Sequence, residues 1–77
     1  IGSGITGILF ELVSPTTAVV LQSEIRQVIT NFEPRVRLID ISVLGDIDKN
    51  GYYVTIKFQV INVPNPVTIE LFLERLR

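Results

Sequence analysis

"NFEPRVRLID", residues Asn31 to Asp40, is the stretch whose reading decides the fold. To its left, apolar residues recur with the spacing of an amphipathic helix; to its right they belong to an extended chain. Pro34 lies at the change-over. Its ring disfavours helical geometry at Glu33, so the helix is predicted to stop around Phe32 or Glu33. The triplet Glu33-Pro34-Arg35 is then either punctuation between helix and strand or a contact site as well.

Working back from Pro34, the positions Ala18, Leu21, Ile25, Val28, Ile29 and Phe32 form one apolar stripe. Gln22, Glu24, Arg26, Gln27, Thr30 and Asn31 take the other side, and Val19 and Val20 are left over. Ser14 suits an N-cap and Pro15 the first helical position, so a helix is expected from there. Before it, "IGSGITGILFELV" opens with two glycines in four residues and then an apolar cluster, Ile5, Ile8, Leu9, Phe10 and Leu12. This reads as a loop leading into a short helix interrupted by Gly7.

Working forward, "RVRLIDISVL" is rich in β-branched residues but holds two competing registers. Arg37, Ile39, Ile41 and Val43 form one face; Val36, Leu38, Asp40, Ser42 and Leu44 form the other. A bulge near Leu38-Ile39, or burial on both sides there, would reconcile them. "GDIDKNGY" supplies turn chemistry, with Asn50-Gly51 suited to positive φ. "YYVTIKFQVI" alternates cleanly, Tyr52, Val54, Ile56, Phe58 and Val60 against Tyr53, Thr55, Lys57 and Gln59. After the break "NVPNP", Val67, Ile69, Leu71 and Leu73 alternate with Thr68, Glu70, Phe72 and Glu74. A helix competes for this last piece, but its β-branched start and even alternation favour a strand.

The expected fold class is α+β in two layers, forming one domain over residues 1–77. A long helix, with a short one before it, packs on a three-stranded antiparallel meander. One sheet face then lacks an internal cover and the last strand lies at an edge. Both features invite a partner.

Composition narrows the chemistry. With 77 residues the chain can bury only about 60–65% of its unfolded surface. It contains neither Cys nor His, which removes disulfides, thiolate metal sites and the commonest general base. Seven Lys/Arg against eight Asp/Glu, with no basic block, argue against nucleic-acid binding by a charged footprint. Apolar residues make up 47% and the mean hydropathy is +0.44, yet no apolar run is long enough for a membrane span. The n-region and cleavage site of a signal peptide are missing too. Such apolarity points to surface covered by partners. The absence of Met and the start at Ile1-Gly2 suggest a fragment.

No nucleotide-binding Gly motif or Ser/His arrangement is present. Gly2-Ser3-Gly4 reads as a flexible lead-in. A glycosidase would need two carboxylates about 5–9.5 Å apart across a cleft, and the candidates are Glu11, Glu24, Glu33 and Asp40. There is no Trp for sugar stacking, so ordinary surface carboxylates are the expectation. Asp46 and Asp48 beside Asn50 read as turn residues, since the stretch lacks the terminal Glu of a calcium loop. No cofactor, metal or small-molecule ligand is expected. Pro34 can act as a rigid corner that aims Arg35, whose fork suits carboxylates or backbone carbonyls of another chain. Arg26, on the polar helix face, either joins that surface or is simply solvated.

The order of these features resembles the lysozyme-like baseplate wedge family of contractile phage tails, shared with type VI secretion baseplates. Ile25-Arg26 about eight residues before Glu33-Pro34-Arg35-Val36 carries the resemblance, together with Leu9-Phe10-Glu11 upstream. It extends over nearly all of the chain. Family members usually carry a further N-terminal segment, missing here, which fits a fragment. The resemblance implies a non-enzymatic structural subunit of a virion tail baseplate or tail-like particle, made in the bacterial cytoplasm. By it, Glu33, Pro34 and Arg35, with Arg26, would dock onto neighbouring wedge proteins. Strand edges, Val67 to Arg77 above all, would be offered to the tail sheath protein. The family's name also implies a peptidoglycan-degrading enzyme, in which Glu11 or Glu33 would act. A small adaptor that oligomerises through its apolar sheet is a third reading.

Overall fold

Ser14 starts the longest element of the chain. In the computed structural model, which describes residues 3–76 (the Ser3 and Phe32 side chains excepted), its backbone is extended (φ −156°, ψ 161°). Its hydroxyl oxygen accepts the Thr17 N–H at 3.1 Å, and Pro15 stands in the first turn. That satisfies one of the helix's orphan donors and stabilises it by about 1 kcal/mol. The order of elements is α1 (Ser3–Leu9), α2 (Pro15–Phe32), β1 (Val36–Asp46), β2 (Gly51–Val60) and β3 (Val67–Glu74). Helix α2 ends where Pro34 requires: Glu33 is the C-cap, and its N–H donates to the Ile29 carbonyl at 3.0 Å.

The strands form one antiparallel sheet in the order β1-β2-β3. Ile41 pairs with Ile56 and Ile56 with Ile69; Val43 pairs with Val54 and Val54 with Leu71. The competing registers of β1 are resolved by a bulge between Leu38 and Asp40, with Ile39 as the extra residue. Leu38, Ile41 and Val43 therefore share the face that meets α2. Arg37, Asp40, Ser42 and Leu44 share the opposite, open face.

Ala18, Leu21 and Ile25 of α2 are buried with Ile41, Tyr52 and Val54 of the sheet, and Ile29, Leu38, Val43, Ile56 and Leu73 pack around them. Leu21 and Tyr52 have no exposed surface. This is the predicted two-layer α+β packing, with α2 lying against β1. On β3 only Leu73 joins the core. Val67, Ile69 and Leu71 point to the helix side but stay more than a third exposed.

The N-terminal reading needs correction. Ser3 and Gly4 belong to α1 rather than to a flexible lead-in, while Gly2 lies outside the described residues. A seven-residue helix with two glycines is too short to persist alone. Tertiary contact holds it. Leu9 is buried, and Gly4 lets the Glu24 carboxylate lie against the helix, where a Cβ would push that side chain aside.

The far end of the chain completes the packing. Arg75 N–H donates to the Asn50 carbonyl and Leu76 N–H to the Leu9 carbonyl, both at 2.8 Å. Arg75 Nε donates to the Glu11 carbonyl at 3.1 Å. β3 thus stops at Glu74, and the residues beyond it turn inward onto α1. The expected edge over Val67 to Arg77 is correspondingly shorter, with Arg77 outside the described residues. Among the described residues, no helix is long and apolar enough to cross a membrane.

Candidate functional site

The Glu33-Pro34-Arg35 corner is fixed by its backbone. Glu33 N–H is held by Ile29, the Glu33 carbonyl accepts the Val36 N–H at 3.0 Å, and the Arg35 carbonyl accepts the Ile61 N–H at 2.9 Å. All three side chains are exposed. Among the described residues, no side-chain hydrogen bond uses the Arg35 guanidinium. A clamped main chain with an uncommitted fork is the geometry of a presented side chain. Arg26 is exposed on α2, two helical turns before Glu33, or about 10 Å along the axis. The fold puts it on the same side of the helix as Glu33 without bringing it to Arg35.

β3 is an edge strand whose free groups can be assigned. Arg75 N–H points inward to Asn50, and successive residues of a strand alternate in the direction of their backbone groups. Thr68, Glu70, Phe72 and Glu74 therefore aim their N–H and C=O groups away from β2. Alongside this edge, Val67, Ile69 and Leu71 present exposed apolar side chains.

A second apolar surface has no counterpart in the sequence reading. Val13, Ala18 and Val19 face Val43 and Ile47 across a groove of about 290 Å³ between the start of α2 and the end of β1. Val19 and Ile47 are 69% and 75% exposed. The only sequence signal was Val19 itself, left over from the helical stripe.

The carboxylates considered for hydrolysis are spread along the chain, two of them at α2. Glu11 follows α1, Glu24 lies half-buried on α2 against Gly4, Glu33 caps α2, and Asp40 stands on the open sheet face. Glu24 and Asp40 are thus on opposite sides of the sheet. Asp46 serves its turn, its Oδ1 accepting the Lys49 N–H at 3.1 Å. Among the described residues no group of three or more Asp, Glu, His or Cys could hold a metal ion. No protein-family model matches the chain, and no curated protein matches it.

Proposed function

We propose that this chain is a structural, non-enzymatic subunit of a contractile-tail baseplate, docking on wedge neighbours through Arg35 and offering the β3 edge to the sheath. The observation that carries the reading is the Glu33-Pro34-Arg35 corner, locked by backbone hydrogen bonds on both sides with its arginine uncommitted. The sequence resemblance supplies the identity of the partners. The free groups of β3 support the second half, because strand addition needs an unpaired backbone edge beside side chains that set register.

The test is co-expression of the tagged chain with wedge and sheath proteins encoded with it. Arg35→Ala removes the presented fork and should lose the wedge proteins. Glu70→Pro removes one outward N–H while leaving the ladder to β2 intact, and should lose the sheath protein. Capture of neither by the wild type removes the support for this reading. Cell-wall degradation that disappears in Glu11→Gln or Glu33→Gln would replace it with the hydrolase.

A further inference from the structure

We propose that the concave end of the open sheet face, beside the β2–β3 connection, is a cleft for an acidic extended segment of a partner protein, with Arg37 as its anchoring residue. The proposal deepens the docking reading by naming the chemistry of the partner, and it rests on that reading only for the partner's identity.

Three features converge there. Arg37 pairs with Gln59, and the Arg35 carbonyl accepts the Ile61 N–H one register pair beyond Val36 and Val60. Arg37 therefore stands on the open face, and Arg35 lies two residues before it in the turn that leads into β1. The connection after β2 forms a wall beside them. Gln59 Nε2 donates to the Val63 and Pro64 carbonyls, both at 3.2 Å, Val63 N–H donates to the Val60 carbonyl at 3.0 Å, and Asn62 adopts φ 69°. The result is a concavity of about 490 Å³ with Arg37 on one side and Ile61, Val63 and Pro64 on the other.

The Gln59 amide is already committed to the wall, so the Arg37 guanidinium is the charged donor left uncommitted among the cleft's described residues. Arg35, Arg37 and Lys57 gather at this end of the sheet against Glu33 and Asp40, and Asp40 is paired in register with Lys57. With Asp40 matched to Lys57, Arg37 stands opposite Gln59 with no carboxylate paired to it in register. A planar fork accepts a carboxylate with two parallel hydrogen bonds. An extended segment with acidic side chains at i and i+2 presents them on one side, so one can meet the Arg37 fork while the other reaches toward Arg35, two residues earlier in the chain. Ile61 and Val63, 59% and 42% exposed, give the intervening backbone an apolar wall. Nucleic acid fits less well. The aromatic pair of the open face, Tyr53 and Phe72, lies toward the opposite end of the sheet, away from any base that could reach these cations.

The test uses the isotope-labelled chain and its arginine side-chain NMR signals. The probe is a capped peptide with glutamates at alternate positions among Val and Thr. Its control carries glutamine in their place. Localised shifts at the Arg37 Nε–H and at Gln59 to Val63, at least tenfold weaker with the control peptide, are expected. Arg37→Gln should abolish them, Arg37→Lys should retain a part, and Lys49→Gln, at the distant hairpin, should leave them unchanged. Equal shifts at all exposed cations, or none, would overturn the cleft. Inorganic phosphate reproducing the same shifts at the same concentration would overturn its assignment to a peptide. Wedge capture through Arg35 is a separate observable, so either idea can fail without the other.

Discussion

The ring of Phe72 occupies the space that a side chain on Gly51 would need. A Cβ built there collides with the ring edge and lies 2.6 Å from the Leu73 carbonyl oxygen. The reason for glycine is therefore closeness of β3; the positive φ of the hairpin falls on Asn50, at 56°. Gly51→Ala should destabilise the domain by roughly 1–3 kcal/mol, read by chemical denaturation, because backbone has to move. Asn50→Gly, by contrast, should stay within about 1 kcal/mol of wild type. Equal effects would remove this division of labour.

Leucines of the same chain should differ sharply in weight. Leu21 has no exposed surface, whereas Leu12 is 70% exposed. Leu21→Ala should lower stability by about 2–5 kcal/mol, leaving a cavity under α2. Leu12→Ala should change it by no more than about 0.5 kcal/mol. A large Leu12 effect would place that residue in the core.

Removal of residues 75–77 cuts the hydrogen bonds that Arg75 and Leu76 make to Asn50, Leu9 and Glu11. Each such bond contributes about 0.5–1.5 kcal/mol net, so truncation after Glu74 should cost roughly 1–4 kcal/mol. Hydrogen exchange should accelerate first in α1, since that helix depends on tertiary support. Unchanged protection of α1 would show that the C-terminal residues do not hold it.

Lys49 Nζ stands 5.5 Å from the centroid of the Tyr53 ring. The Tyr53 side chain, first by hydrogen bonding and then by electrostatic attraction, with a smaller charge contribution from Asp46, raises the ammonium above the ordinary 10.5. A raised folded-state pKa stabilises fully below the unfolded value and is lost as pH rises through the folded one. The stability difference between wild type and Lys49→Met should therefore be constant up to pH 10.5 and shrink above it. A difference that grows with alkalinity would reverse the assignment.

The long helix, its cap and its stop were legible because each rests on a local rule: stripe spacing, a hydroxyl at the N-cap, a proline after the C-cap. The bulge was legible as a conflict between two registers. The helical state of Ser3 and Gly4 was not, because α1 is held by contacts from distant parts of the chain: Leu9 is buried in the core, and its carbonyl accepts the Leu76 N–H. The inward turn of Arg75 and Leu76 likewise depends on partners at the other end of the chain. As for the site, the Glu33-Pro34-Arg35 corner could be read locally. The place of Arg37 beside the β2–β3 connection could not, since it requires both the bulge and the pairing with Gln59.

The bulge at Ile39 also has an evolutionary consequence. Downstream of it, Ile41 and Val43 are held by the core, so mutation there is constrained by foldability. Upstream, Arg37 stands on the open face, where a change alters what another molecule meets and leaves the packing intact. One inserted residue thus moves Arg37 off the face of Ile41 and Val43 and onto the open one, where recognition can be retuned without refolding the domain.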